Sequence, residues 1–400
     1  MKNVRQDNPT DKSREALRRV AEMAGPEPVM PEGVETIPVC QPTLKGNERK
    51  YVIQCMDTNW ISSRGRFVDE FEKNFSHYCG VRFGITTNSG TTALHLALAT
   101  MGIGEGDEAI IPSFTMISTA NAIAYLGAKP VVVDVEPDTW NIDPDKIEEK
   151  ITEKTRVIIP IHTYGHPANM DRLEEIAKKH GLEIVEDAAE AHGAEYKGRR
   201  VGSFGKMASF SFYANKIITT GEGGMIVTDD PEMADRLQTL RNYGFTKERH
   251  FWHKVMGFSY RMTNLQAAIG LGQFERIEEL IQGRIDNARL YNELLRDVPG
   301  ITTPRESDHV KAVYWMYGVL VEDDFGISKD ELRQRLADHG IETRSFFIPI
   351  HLQPIYSYLL SDEYPISEEL GRKGFYLPSA SSLRPDQIEF IVDVIRNARS

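Results

Sequence analysis

A lysine attacks a carbonyl carbon when its surroundings favour the neutral amine, as burial or a neighbouring cation does. Lys216 stands in NKIITTGEGGMIVT (215–228), just past the apolar run MASFSFY (207–213) that carries Ser211, and is followed by three glycines that permit a sharp turn. Asp187, 29 residues earlier, closes another apolar run, LEIVEDA (182–188). A carboxylate at the end of a buried strand needs a cation or hydrogen-bond donors. Upstream again, NSGTTALHLALATMG (88–102) leads a polar turn of Ser89, Gly90, Thr91 and Thr92 into an amphipathic helical pattern. Unpaired backbone N–H groups there would favour an anion such as a phosphate. Each feature alone has an ordinary alternative: a solvated amine, a structural ion pair, a helix cap.

Together, an anion turn, an acid and a carbonyl-reactive amine match the three needs of pyridoxal phosphate. The helix N-terminus suits its phosphate. Asp187 would keep the pyridine nitrogen protonated, so that the ring can accept electrons. Lys216 would hold the aldehyde as a Schiff base and, once displaced by an amino donor, move a proton as a base.

Such groups need a sheet to hold them at one edge. Short apolar runs at 108–112, 129–135, 156–162, 182–188 and 207–213 are mostly separated by stretches of helical period such as MDRLEEIAKKHG (170–181). This alternation implies an α/β fold with a largely parallel sheet, covered on both faces and binding ligands at the carboxyl ends of its strands. Three parts are expected: an N-terminal extension (1–36), with a short helical pattern around Ala16 to Ala24; a large domain (37–250); and a linking helix with a smaller α+β domain (251–400). The apolar-striped segment 265–298 reads as one long helix bridging the domains, and YWMY (314–317) as small-domain core.

The 400 residues carry 47 basic and 59 acidic side chains, a net charge of −12, which argues against a broad nucleic-acid or anionic-membrane surface. Cys40, Cys55 and Cys79 lack C-x-x-C spacing, so neither a disulfide framework nor a zinc site is indicated. With no signal-peptide pattern and no run approaching ~20 apolar residues, a cytoplasmic protein is expected. No G-x-G-x-x-G closes the first strand, which disfavours a nicotinamide enzyme. A coenzyme-sensing DNA-binding regulator is disfavoured because the 36-residue extension is too short for an ordinary winged-helix module.

With FSFYANKIITTGEGGMIVTDD (210–230), GNERKYVIQCMDTNWISSRGRFVDEFEKNF (46–75), EDAAEA (186–191) and YRMTNLQAAIGL (260–271), the chain from residue 37 onward resembles the sugar aminotransferases of the DegT/DnrJ/EryC1/StrS family. These are fold type I enzymes dependent on pyridoxal phosphate. The resemblance implies that Lys216 bonds the coenzyme, Asp187 pairs with its pyridine nitrogen and Glu190 lies near its ring hydroxyl. It places Thr91, Thr92 and Ser211 at phosphate-binding positions, with Ser89 and Gly90 forming the turn. A branch of the family with histidine in place of the lysine is disfavoured by Lys216.

The resemblance further implies a homodimer whose sites are completed by the partner's GFSYRMTN segment (257–264). Two positions depart from the family pattern. Met116, in PSFTMIS, replaces an aromatic that stacks on the ring, leaving a thioether or a displaced Phe114 for that task; Ser259 replaces the usual, longer Asn before YR. For the substrate the resemblance points to Trp60, Ser62, Ser63 and Arg64, to His162, and to Arg344 and His351, with the arginines suited to a diphosphate. The implied reaction moves an amino group from glutamate, by way of pyridoxamine phosphate, to C4 of a nucleotide-linked 4-keto-6-deoxy sugar. GDP-4-keto-6-deoxymannose is the first choice, and a UDP- or dTDP-linked sugar the alternative.

Overall fold

A computed structural model describes residues 11–245, 251–305, 307–360 and 362–399. Helix α1 (Asp11–Met23) precedes α2 (Glu48–Thr58) and α3 (Arg66–Cys79). The large domain then alternates β1 (Phe83–Thr87), α4 (Gly90–Met101), β2 (Glu108–Pro112), α5 (Ser118–Ala124), β3 (Lys129–Val133), β4 (Thr155–Ile158), α6 (Met170–His180) and β5 (Glu183–Asp187). After the short β6 (Glu195–Tyr196) and β7 (Arg199–Arg200) come β8 (Met207–Ser211), β9 (Gly224–Thr228) and α7 (Pro231–Arg241).

These strands form a seven-stranded sheet in the order β1-β9-β8-β5-β4-β2-β3. From β3 to β8 all neighbours are parallel, and β9 and β1 close the other edge antiparallel. The expected α/β architecture is therefore present. Val, Ile, Ala, Met and Phe fill both faces of β2, β5, β8 and β9, every residue of which is buried except Glu183. Parallel strands need this two-sided cover. Because β4, β5 and β8 run the same way, Asp187 and Ser211 emerge at one edge, with the segment 159–162 between them and β2.

The segment expected as one long helix is two: α8 (Asn264–Phe274) and α9 (Ile277–Leu295). Arg276 leaves helical geometry (φ −117°, ψ 15°) while its guanidinium turns back to Glu279. Thr263 and Gln266 form a capping box at the start of α8. The remaining elements are β10 (Ile301–Thr302), β11 (Val310–Lys311), β12 (Tyr317–Val321), α10 (Lys329–Asp338), β13 (Arg344–Ser345), α11 (Pro365–Lys373), β14 (Gly374–Leu377) and α12 (Pro385–Asn397). A four-stranded sheet, β10-β12-β14-β13, is the core of the smaller unit, while β11 crosses back to pair with β6 of the large one.

The N-terminal extension is more than a tethered helix. Ala16 and Met23 are buried against the small unit, Arg19 pairs with Glu368 at 2.9 Å, and the Lys329 ammonium donates to the Met23 carbonyl. No helix among the described residues is long and apolar enough to cross a membrane.

Candidate active site

Helix α4 begins as its sequence requires. The Ser89 hydroxyl accepts from the Thr92 N–H, and the Thr92 hydroxyl accepts from the Ser89 N–H, a reciprocal cap. Thr92 also donates to Asn88. Its hydroxyl is thus engaged within the turn. Gly90 and the Thr91 hydroxyl are left at the open end of the helix. The side chain of Ser211, from the end of β8, faces Gly90 so closely that a Cβ added there would lie 2.7 Å from the Ser211 Cβ. Only glycine allows this approach, which brings helix dipole, backbone donors and a hydroxyl together where an anion such as a phosphate is favoured.

Asp187, buried at the end of β5, accepts from the Thr119 hydroxyl at 2.8 Å and from the Ala189 N–H at 3.2 Å. Burial raises its pKa; these two donors and the charge of Lys216 oppose the rise. No cation lies within ion-pair distance of it among the described residues. Glu190 is buried beside it and accepts from the Tyr164 N–H at 2.7 Å; burial raises its pKa too. Lys216 lies in the loop after β8, where burial lowers its pKa against the pull of Glu190 and Asp187. A buried carboxylate without a cation, a lysine pushed toward the neutral amine and an anion cradle across the same strand ends fit a protonated pyridine, an aldehyde and a phosphate.

Around this lysine several buried polar atoms lack a well-formed hydrogen bond: both ring nitrogens of His192, the Ser209 hydroxyl, the Asn215 side-chain oxygen and the Tyr164 hydroxyl. Such groups are rare in folded interiors and cluster where function needs them.

Met116 is 47 % exposed just ahead of α5, its sulfur accepting from the Ser118 N–H at 3.1 Å. Phe114 is fully buried among Tyr164, Phe346 and Phe347. Ser259 is exposed and accepts from Arg261, which also reaches Asn242.

The expected substrate residues divide. Trp60, Ser63 and Arg64 line an open cavity of about 1200 Å³ whose wall also includes Arg261 and Met262 but neither Lys216 nor Asp187. Ser62 adjoins it, its carbonyl accepting from the Asn264 N–H. Arg344 is exposed on β13 and paired with Glu342 at 2.6 Å.

Both ring nitrogens of each expected histidine have partners within the protein. His162 accepts from the Ala168 N–H and contacts Glu186, whose carboxylate also takes the Gly202, Phe204 and Gly205 N–H groups. His351 contacts the Ser113 hydroxyl at 2.6 Å and Glu368 at 3.2 Å. Sequence reading missed Thr119, Tyr164 and Trp315. Trp315, expected as plain core, is buried yet lays its indole face against the Lys216 ammonium.

The profile of the DegT/DnrJ/EryC1/StrS aminotransferase family matches residues 42–396. The chain belongs to this family. It is a pyridoxal-phosphate-dependent aminotransferase, and the geometry around Lys216 fits that coenzyme. Among its relatives, GDP-perosamine synthase of Caulobacter vibrioides is 47% identical over 357 residues, covering 89% of this chain and 96% of that one. GDP-perosamine synthase of Escherichia coli O157:H7 is 44% identical over 90% and 97%. The solved structure of DesI in the presence of its TDP-sugar product superposes with a TM-score of 0.85 at 29% identity, covering 96% of this chain and 97% of that one.

Proposed function

We propose that this chain moves an amino group from glutamate to C4 of a nucleotide-linked 4-keto-6-deoxy sugar, converting GDP-4-keto-6-deoxymannose to GDP-perosamine. The supporting observation is the 47% and 44% identity to two GDP-perosamine synthases over nearly their whole length.

Bound pyridoxal phosphate supplies an electron sink for the charge that develops beside the reacting nitrogen. Asp187 would pair with the protonated ring nitrogen; Thr119 and the Ala189 N–H keep its carboxylate oriented. Lys216 carries and returns the proton at Nζ, a role suited to an amine whose pKa burial has brought down. Gly90, Thr91 and Ser211 would hold the phosphate. Glu190, fixed by the Tyr164 N–H, would face the coenzyme's ring hydroxyl.

The nucleotide sugar is assigned to Trp60, Ser62, Ser63 and Arg64, with Arg344 as a further cation. The cavity they line excludes Lys216, so this loop and the segment 257–264 would complete the site of a second copy in a homodimer. Exposed Trp60, Ile61, Trp252 and Met256 supply apolar surface for such an interface. Both substrates are soluble metabolites, and the cytoplasm is the proposed compartment.

Incubation with glutamate and a panel of GDP-, UDP- and dTDP-4-keto-6-deoxy sugars, read by mass, tests the acceptor. Amination of the GDP sugar at the highest kcat/KM is the expected result. Reaction with only the dTDP or UDP sugars removes the perosamine assignment and leaves the alternative acceptor, a reading favoured by the likeness to DesI with its TDP-sugar product.

A further inference from the structure

The lysine's nearest aromatic neighbour comes from the smaller unit. The Lys216 ammonium lies 3.4 Å from the centre of the Trp315 ring, within cation–π range. The indole is locked in that position from three sides. Its Nε1–H donates to the carbonyl of Asn215, the residue before the lysine, at 2.8 Å. The Trp315 carbonyl accepts from the buried guanidinium of Arg284, which also donates to the Ser379 carbonyl at 2.9 Å. Just ahead of it, Tyr314 has a φ of 46°, a conformation that costs a non-glycine residue energy and persists only where packing enforces it.

The packing that enforces it is visible. Tyr164 (φ 51°) and Gly165 (φ 97°) form a left-handed turn against it, and a Cβ on Gly165 would lie 3.0 Å from the Tyr314 and Trp315 nitrogens. The Val313 N–H donates to the Gly165 carbonyl at 3.0 Å. Two strained turns from the two units are thus clasped together, and what their clasp delivers is an indole face on the reactive amine.

We propose that Trp315 is the resting seat of the Lys216 ammonium, a positioning residue that receives the amine whenever it is not bonded to the coenzyme. The proposal rests on the reading of Lys216 as the coenzyme's lysine. Once the amine has taken a proton it must hold the charge near its target until the proton is returned; an indole face stabilises that ammonium without accepting the proton. Carboxylates alone would hold it less selectively. The charged and titratable groups facing Lys216 are Glu190 and Asp187 from the end of β5, Cys40 from the segment after the extension, Arg284 from α9 and His192 beyond Glu190. None of these is altered by replacing the indole.

The test is the pH dependence with which Lys216 in coenzyme-free, full-length protein is acetylated by acetic anhydride, read by peptide mass. In Trp315→Leu the midpoint is expected to fall by about one pH unit, the loss of a partly desolvated cation–π contact. Trp315→Phe, which keeps a weaker ring face, should fall between. Chains grown with mono-, di- and trifluorinated tryptophan keep the ring's shape while draining its negative face, so they serve even where the leucine variant does not fold; their midpoints should step down with fluorination.

A midpoint unmoved in Trp315→Leu and across the fluorinated series would overturn the seat. Borohydride trapping of pyridoxal phosphate on unacetylated aliquots of the same proteins separates the two ideas. Attachment at Lys216 with an unmoved midpoint refutes the seat alone, whereas no attachment at Lys216 refutes the coenzyme reading.

Discussion

Two buried polar regions of this chain differ in how well they are satisfied. Around Lys216, His192, Ser209, Asn215 and Tyr164 each leave a polar atom without a well-formed hydrogen bond. Around His351, by contrast, each partner is engaged: Ser113 on one ring nitrogen, Glu368 on the other, and Arg19 of the N-terminal helix on Glu368. Nearby, Asp134 accepts from the Ile366 N–H, the Ser367 N–H and the Ser367 hydroxyl. A satisfied network costs little to bury and locks elements together; an unsatisfied one is destabilising unless a ligand completes it. We read the first region as a site and the second as a joint, although it is the joint's His351 that the sequence resemblance made look functional.

The largest expected break falls on the site. Lys216→Ala should lower turnover by at least about 10⁴-fold, since it removes both the carbonyl-bonding amine and the proton carrier, while the melting temperature stays near the parent's. Substantial residual transaminase activity would remove Lys216 from its role. Asp187→Asn keeps the size and the Thr119 contact but removes the charge that pairs with a protonated ring nitrogen. A loss of ~10²-fold or more in kcat/KM is expected, and a loss under threefold would mean the carboxylate is structural.

The joint should behave in the opposite way. His351→Ala strands the Ser113 hydroxyl and Glu368 and opens a cavity, so about 2–4 kcal/mol of unfolding free energy should be lost. Activity measured well below the melting temperature should remain within about threefold; a large fall in kcat with unchanged stability would return His351 to the substrate.

His192 sharpens the comparison through pH. Burial among Phe75, Phe210 and Phe212 holds its imidazole down to about 3, whereas the unfolded chain takes up that proton near ~6.5. Between those values the unfolded state binds more protons, so stability is full above the upper one and falls as pH drops, by up to ~1.4 kcal/mol per pH unit. His192→Phe should flatten the dependence of the urea midpoint between pH 6.5 and 5; an unchanged slope would place the acid sensitivity elsewhere. The smallest effect is expected from Arg19→Ala, ~0.5–1 kcal/mol, because its ion pair with Glu368 is partly exposed and screened by water. No measurable change would show that the extension is held without help from this ion pair.

What the sequence made legible was local. Lys216 and Asp187 were recognisable because each follows a strand-like apolar run within a few residues, and a parallel sheet then brings strand ends together without further information. The α4 turn was legible for the same reason. What stayed hidden depended on partners distant along the chain. Ser113 meets His351 across 238 residues, and Asn215 meets Trp315 across 100. A histidine's motif position says nothing about whether its nitrogens are already taken, so His162 and His351 looked available. Likewise, no glycine or proline marks the break at Arg276 between α8 and α9. A tryptophan at a strand's entrance reads as core, which Trp315 also is; only the fold reveals which atom lies over its face.

The most direct test of the lysine pocket is covalent. Purified protein saturated with pyridoxal phosphate, reduced with borohydride and digested, should carry the pyridoxyl mass on the peptide containing Lys216, and the Lys216→Ala protein should carry none. A label on other lysines, or none at all in the parent chain, would contradict the assignment of the unsatisfied region as a coenzyme site.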